Sequence, residues 1–265
     1  MPDAIAKPLQ EAISKIPELK SRFESVSKDL GLPLIGSPES NDHLAGWGGD
    51  MVGSYGSIKL SLAVDHLFAW HLLASPPVGW LPTYAHLTLL RPALEGAVQT
   101  RWVLDSTERS GTRIARALAL RLDDLKWVQV TEDDIKAERI TDPAVRAAAT
   151  KPGAAERAQT VLAEAAAAGI ARVRKDKTDA LLKKYHLRSD AMDVVIWRFT
   201  SGVIHGQAWV LDLSDREVLR AGATMTSYKE SANEPVAVLM TNIAIAHVER
   251  AIEDLRQYRE PRKVG

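Results

Sequence analysis

Apolar residues recur at intervals of three and four along most of this chain, and this spacing limits the possible folds more than any other feature. Residues 4–29 carry such a stripe, which includes Leu9, Ile13, Ile16 and Leu19. Apolar side chains at this interval lie on one face of an α-helix. The alternation typical of half-buried strands is nearly absent, and no repeat recurs at a solenoid period. The sequence therefore predicts an all-α fold.

The pattern predicts one all-α domain over residues 1–265, a single helical bundle of six to eight helices. Glycines and prolines crowd residues 31–57 and predict a glycine-rich loop. Its part at residues 46–57 is either a linker or mobile lid, or a phosphate cradle, although it lacks the residue order of a nucleoside-triphosphate loop. The N-terminal helix within residues 1–30 packs either in the bundle or on a partner subunit.

The remaining helices are placed by periodicity and by the breaks at glycine and proline. Residues 210–232 lack a clear helical period, and the segment MTSYK within them predicts a short strand or an ordered loop. The helices are expected at 57–74, 83–105, 112–130, 154–185, 190–209 (capped by Ser189) and 234–258.

Composition narrows the class of protein. With 265 residues, 46% of them hydrophobic, the chain can bury a substantial core. It has no cysteine, which excludes disulfides, thiolate zinc sites and a cysteine nucleophile and suits a reducing cytoplasm. Residues 1–20 carry charges and prolines where a signal peptide needs an apolar core, and the longest apolar stretch, 236–246, falls short of the roughly 20 residues of a membrane span. We expect a cytoplasmic protein without a membrane segment.

Charge is balanced overall but not locally. Lysine plus arginine equals aspartate plus glutamate at 34 each, so the whole chain does not attract a polyanion. Residues 172–188, however, hold seven basic and two acidic residues, whereas residues 123–138 hold two basic and six acidic ones. The basic run is either a contact for nucleic acid or a solvated helix face.

Arg198 and His205 are the candidate catalytic residues. They are seven positions apart, so on a helix they differ by about 20° around the axis and by roughly 10.5 Å along it. Ser201 lies between them, and Trp209 extends the same stripe by one turn. Histidine can move a proton near neutral pH, and arginine can hold a phosphate. The pair suits phosphodiester cleavage, with His205 as acid or base; the alternative is two helix-packing residues with local hydrogen bonds.

A second polar stripe lies on the helix predicted over residues 83–105. Arg91 and Glu95 are four apart, the spacing of a helical ion pair, and Arg101 follows on the same helix. The pair either is structural or lets Glu95 hold Arg198 or His205. No metal site is expected, since the motifs HExxH and ExxH do not occur. The seven tryptophans either fill the core or line a site for bases or a ligand.

The arginine, six residues and histidine of RFTSGVIH, on a late helix of an all-α chain, resemble the signature of the HEPN superfamily (higher eukaryotes and prokaryotes nucleotide-binding). The run LTLLRPALEGAVQTRWVLDS, residues 87–106, is similar to an arginine-and-glutamate helix of uncharacterised bacterial and phage relatives. Phe199 follows the arginine where that family usually has a polar residue.

The resemblance implies a HEPN-like endoribonuclease of a toxin–antitoxin or antiphage defence system, without metal or cofactor. Arg198 and His205 would be catalytic, with RNA, a second copy of the chain and an antitoxin or other protein as partners. The alternatives are a non-catalytic helical protein that binds a small ligand or protein in a tryptophan-lined pocket, and a purely structural protein. The supporting residues are Ser201, Glu95, Arg91, Arg101 and Trp209.

Overall fold

The computed structural model describes residues 7–28, 32–79, 81–137, 142–143, 153–187, 192–207, 216–221, 226–230 and 233–261. The fold is an all-α bundle, as predicted, with one antiparallel pair of short strands. Strand β2 covers the TSYKE segment, for which a strand was one of two expectations. The elements are α1 Lys7–Ile13, α2 Ile16–Lys28, α3 Pro38–Leu44, α4 Gly49–Ala74, α5 Ala85–Leu104, α6 Ser110–Ala137, α7 Ala154–Ala167, α8 Thr178–Lys184, α9 Met192–Ile204, β1 Arg216–Ala221, β2 Thr226–Glu230 and α10 Glu234–Arg259.

The chain divides into two compact units. Unit 1 comprises residues 1–31, 56–102 and 177–256, and unit 2 comprises residues 32–55, 103–176 and 257–265. Each unit is assembled from three separate stretches of sequence. A single domain over the whole chain therefore stays a prediction, and the two units are described separately below.

The N-terminal segment of unit 1 forms two helices, so the expectation of one helix over residues 4–29 is wrong. Helix α1 ends at Ile13 and α2 begins at Ile16. Pro17 explains the break, because it has no N–H to donate to the carbonyl of Ile13 and its ring clashes with that carbonyl. Four members of the predicted apolar stripe, Leu9, Ile13, Ile16 and Leu19, are nevertheless buried.

The core of unit 1 contains close helix contacts and a few satisfied polar groups. A Cβ added to Gly96 on α5 would lie 2.6 Å from the carbonyl oxygen of Lys59 on α4, so only glycine allows this approach. Trp70 on α4 is fully buried, and its indole N–H donates to the hydroxyl of Thr241 on α10 at 3.1 Å. A buried polar group with a partner avoids a desolvation penalty.

Helix α10 is long and apolar enough to cross a membrane by length and composition, with a mean hydropathy of 1.2 in its most apolar window. However, 56% of that window is buried inside the protein. Its buried residues Ala237, Met240, Ala244 and Val248 recur at helical spacing on one face. This is the pattern of a core helix in a soluble helical protein.

Unit 2 corrects the predicted loop at residues 31–57. Helix α3 forms at Pro38–Leu44, and α4 begins at Gly49 rather than near residue 57. Proline is compatible with the first turn of a helix, where its missing N–H costs nothing, and the hydroxyl of Ser37 caps α3 by accepting from the N–H of Ser40 at 3.0 Å. Glycine at position 49 permits close packing, since a Cβ there would lie 2.1 Å from the carbonyl oxygen of Asp42.

A buried ion pair holds the core of unit 2. The guanidinium of Arg113 on α6 donates two hydrogen bonds to the carboxylate of Asp42 on α3, from Nε at 2.8 Å and from Nη2 at 2.6 Å. The hydroxyl of Tyr258 donates to the same carboxylate at 3.1 Å. All three side chains are buried. Burial raises the pKa of Tyr258, and the nearby Asp42 carboxylate raises it further, so the hydroxyl remains a donor.

The expected long helix over residues 154–185 is wrong as well. Helix α7 ends at Ala167, and Gly169 takes a left-handed conformation with φ of 72°. The N–H of Gly169 donates to the carbonyl of Ala166, and that of Ile170 to the carbonyl of Ala165, which is the Schellman arrangement of a helix C-terminus. Helix α8 then begins at Thr178.

We predict that Asp42→Asn lowers the free energy of unfolding by about 3–5 kcal/mol, because it leaves the Arg113 charge buried without a counter-charge. Urea unfolding followed by circular dichroism measures this. Asp50→Asn makes the same chemical change at a carboxylate that is 82% exposed, and it is expected to cost less than about 1 kcal/mol. Equal losses in the two variants would contradict a central role for the buried pair.

Candidate functional site

Helix α9 and the residue after it carry the candidate catalytic residues, and a buried hydrogen bond fixes the first turn of α9 in unit 1. The Nε2–H of His247 on α10 donates to Asp193 Oδ2 at 2.9 Å. The backbone N–H of Leu187 donates to the same oxygen at 3.1 Å. Asp193 and His247 are both buried. Asp193 therefore ties α9 to α10 and to the segment that follows α8.

The surroundings of His247 lower the pKa of its imidazole. Burial lowers its pKa, and the positive charge of Arg101 lowers it further, while the hydrogen bond and charge of Asp193 act in the opposite direction. Because Nε2 carries the proton that Asp193 accepts, Nδ1 is an acceptor, and it has no partner among the described residues. No sequence pattern marked this pair, whose members are 54 positions apart.

A second contact fixes the middle of α9. The carboxylate oxygen Oε1 of Glu95 on α5 accepts from Arg91 Nε and from the indole N–H of Trp197 on α9, each at 2.8 Å. The guanidinium carbon of Arg91 lies 5.6 Å from the centre of the Trp197 ring. Among the described residues, Glu95 thus holds Trp197 rather than Arg198 or His205, which corrects that alternative for Glu95.

Arg101, the other arginine proposed as supporting, is committed to contacts inside unit 1. Its Nε donates to Asp254 at 3.1 Å, and its Nη1 donates to the backbone carbonyl of Tyr185 at 2.6 Å. Its guanidinium also lies 5.2 Å from the centre of the Tyr185 ring. Burial lowers the pKa of Arg101, which Asp254 partly offsets. These contacts join α5 to α10 and to the end of α8.

Arg198 and His205 are both exposed. The side chain of Arg198 is 58% accessible, and its Nη2 lies 3.4 Å from Asp179 Oδ2 on α8. Ser201 is half-buried between them, and its carbonyl accepts from the backbone N–H of His205 at 3.1 Å. We call the exposed surface of these three residues the Arg198–His205 face. This face is not packed into a core. A purely structural protein would be favoured if these side chains were fully packed.

The end of α9 differs from the expected helix over residues 190–209. The helix ends at Ile204, so His205 is its C-cap residue rather than part of its interior. Gly206 has a φ of 61°, its N–H donates to the carbonyl of Val203, and the N–H of Gln207 donates to that of Gly202. This Schellman arrangement favours glycine at position 206, because the residue has a left-handed conformation. Trp209 and Ser189 lie outside the described residues.

Part of the basic run lies on or beside α8, the helix whose Asp179 contacts Arg198. Helix α8 packs against α9, and Lys177, Lys183 and His186 on or beside α8 are exposed. Of the run at residues 172–188, the stretch that begins at Lys177 belongs to unit 1, as does α9. The structure therefore brings together two features that are separate in the sequence.

The tryptophans of the described residues have different environments rather than one common pocket. Trp70 and Trp102 are buried, whereas Trp127 is 64% exposed. The indole N–H of Trp47 in unit 2 donates to Glu164 at 3.1 Å. Nor does any group of three or more histidine, aspartate or glutamate side chains among the described residues form a candidate metal site.

Comparisons of this chain with protein-family models, with curated proteins and with solved structures find no match. The geometry of the Arg198–His205 face is therefore the basis for a functional proposal.

We predict that His247 makes the free energy of unfolding depend on pH. Because its pKa is lower in the folded protein than its ordinary value of about 6.5, the unfolded chain binds the proton first. The free energy of unfolding should therefore decline as the pH falls below about 6.5, toward the lower pKa of the folded state. His247→Gln, which keeps an N–H donor for Asp193, should show a smaller decline.

Urea unfolding between pH 8 and pH 5 measures the effect. The control is His43→Gln, at a histidine that is 53% exposed. A His247→Gln profile as steep as that of the parent would contradict this role for His247.

Proposed function

We propose that this chain is a cytoplasmic RNA-binding protein that cleaves RNA without a metal ion, with Arg198 as phosphate ligand and His205 as general acid or base. The observation that carries the proposal is the exposure of both side chains on one helix end that is anchored elsewhere by Asp193 and Trp197. An exposed imidazole and guanidinium on a fixed helix meet the needs of phosphodiester chemistry. A HEPN-like fold and a role in a conflict system belong to the same proposal.

Arg198 is available to a phosphate. Its contact with Asp179 is long, at 3.4 Å, and its side chain is 58% exposed, so the pair contributes at most about 1 kcal/mol. A phosphate diester offers the guanidinium two oxygens and a bidentate geometry. The lysines of α8 beside α9 add positive charge for the neighbouring phosphates of a single strand. Arg198 would thus exchange Asp179 for the substrate.

The reaction requires that one proton leave the ribose 2′-hydroxyl and that one proton reach the departing 5′-oxygen. His205 accepts the proton of the ribose 2′-hydroxyl, whose oxygen attacks the adjacent phosphorus. The bond from phosphorus to the 5′-oxygen of the next nucleotide breaks, and that oxygen takes a proton from water or from the imidazole of a second copy of the chain. The products are a 2′,3′-cyclic phosphate and a free 5′-hydroxyl. Arg198 stabilises the charge that develops on the phosphate oxygens.

We predict that the purified protein cleaves a labelled mixed-sequence RNA in the presence of EDTA. His205→Ala should lower the rate at least about 100-fold, since it removes the proton carrier. Arg198→Ala should lower the rate and weaken RNA binding. Gel electrophoresis of the products, together with a test for the cyclic phosphate end, measures both effects.

His43→Ala is the matched control, because His43 is a histidine of unit 2 that is 53% exposed and belongs neither to the pair nor to the basic run. It should retain the rate of the parent. Cleavage by His205→Ala at the rate of the parent would contradict the proposal. The absence of cleavage by the parent would leave the non-catalytic binding protein as the better reading of the fold.

A further inference from the structure

Arg91 on α5 has two hydrogen-bond donors that its contacts with Glu95 and Trp197 do not use. Its Nε donates to Glu95 Oε1, and neither terminal nitrogen, Nη1 or Nη2, has a hydrogen-bond partner among the described residues. The side chain is 17% accessible, and neither terminal nitrogen is among the buried polar atoms that lack a partner, so both are accessible to solvent. A largely buried arginine in unit 1 thus presents two donors at the surface.

The folded protein already fixes the orientation of this guanidinium. Glu95 holds its Nε, and the centre of the Trp197 ring lies 5.6 Å from its central carbon. Glu95 also accepts from the indole N–H of Trp197, so the three side chains hold one another in place. Arg91 therefore has less side-chain entropy to lose on binding than a freely exposed arginine has. The fork of two terminal N–H groups matches two oxygens of a phosphate.

The contact with Trp197 places Arg91 beside the Arg198–His205 face. Successive residues of an α-helix turn by about 100°, so Ser201 lies about 40° from Trp197 around the axis of α9. In the same direction, His205 lies about 80° and Arg198 about 100° from Trp197. Trp197 and the Arg198–His205 face therefore occupy one sector of α9. Arg91 contacts this sector at one edge, and Arg198 projects from the other edge.

We propose that Nη1 and Nη2 of Arg91 bind a second phosphate of the same RNA strand whose scissile phosphate Arg198 holds. The proposal rests on the RNA-binding function above and adds a second phosphate contact to it. A single strand carries a phosphate at every nucleotide, so a strand that crosses the Arg198–His205 face offers one phosphate to each arginine. Two fixed phosphate contacts set the direction of the strand across the face and position it for His205.

The test is the affinity for a fluorescent 2′-O-methyl oligonucleotide, which cannot be cleaved, measured by fluorescence anisotropy at several salt concentrations. For a single strand, the logarithm of the binding constant falls with the logarithm of salt concentration, and each neutralised phosphate adds about 0.7 to the slope. Arg91→Gln should therefore lower the slope by about 0.7. The double variant Arg91→Gln with Arg198→Gln should lower it by about 1.4.

Glu95→Gln provides a second test, in which a phosphate contact and a purely structural role predict different results. Glu95 orients Arg91, but its negative charge repels the phosphate that Arg91 binds. The amide oxygen of glutamine still accepts a hydrogen bond from Arg91 or Trp197, while the negative charge is removed. The variant should therefore bind the oligonucleotide at least about threefold more tightly than the parent. A purely structural role for the pair predicts unchanged or weaker binding.

Arg22 and Glu249 are the matched control pair. They form an ion pair in unit 1 at 3.8 Å, and their side chains are 44% and 46% exposed. Arg22→Gln and Glu249→Gln change the net charge by the same amounts as Arg91→Gln and Glu95→Gln. Both controls should keep the slope of the parent and its affinity within about twofold, because the proposal assigns neither residue a phosphate.

A slope in Arg91→Gln equal to that of the parent would overturn the second phosphate contact while RNA binding stands. An equal loss of slope in Arg22→Gln would also overturn it, because the total charge would then set the slope. If circular dichroism shows that Arg91→Gln does not fold, Glu95→Gln decides, and binding no tighter than that of Glu249→Gln overturns the contact. If the parent does not bind the oligonucleotide, the proposed function fails and the second contact fails with it.

Discussion

The candidate site depends on the buried hydrogen bond between Asp193 and His247. Asp193 lies in the first turn of α9, and its carboxylate also accepts from the backbone N–H of Leu187. One oxygen atom therefore connects α9 to α10 and to the residues after α8. A buried carboxylate that loses a hydrogen-bond donor costs free energy of folding. The N–H groups of Leu187 and His247 therefore both stabilise the buried carboxylate of Asp193. The positions of Arg198 and His205 depend on the position of α9, and Asp193 fixes the first turn of that helix.

The order of contacts along α9 separates support from function. Asp193 fixes the first turn, and Trp197 fixes the middle through Glu95. After Trp197, Arg198 is exposed and His205 caps the helix in solvent, whereas Thr200 between them is buried. Rigid placement at one end and exposure at the other is the arrangement expected of a site that must hold a catalytic group in position while it admits a long substrate.

The sequence predicts the helices better than it predicts their ends or their buried polar contacts. The stripe of Leu9 and Ile13 is buried as expected, since burial of apolar faces drives this pattern. Gly169 and Gly206 both end helices that were expected to continue. A glycine with a positive φ ends a helix through its local backbone conformation, which the spacing of apolar residues does not indicate. Both glycines stand after a helical run, where a stop signal could have been recognised.

Sequence patterns fail to predict buried polar pairs for a different reason. Arg113 and Asp42 are 71 positions apart and form the ion pair of unit 2, and no spacing rule connects residues at that distance. The Arg91–Glu95 pair was visible from its helical spacing, but its third member, Trp197, was not, since it comes from another helix. Periodicity identifies faces of helices, whereas the partner of each face is set by the tertiary structure.

The most direct test of the central claim is the nuclear magnetic resonance signal of the His205 imidazole, assigned by its loss in His205→Ala, during titration with a non-cleavable 2′-O-methyl oligonucleotide. If the Arg198–His205 face binds RNA, this signal shifts and saturates with the added oligonucleotide, while the signal of the buried His247 stays in place. An unchanged His205 signal at an oligonucleotide concentration that saturates binding would contradict the account, because RNA would then bind elsewhere.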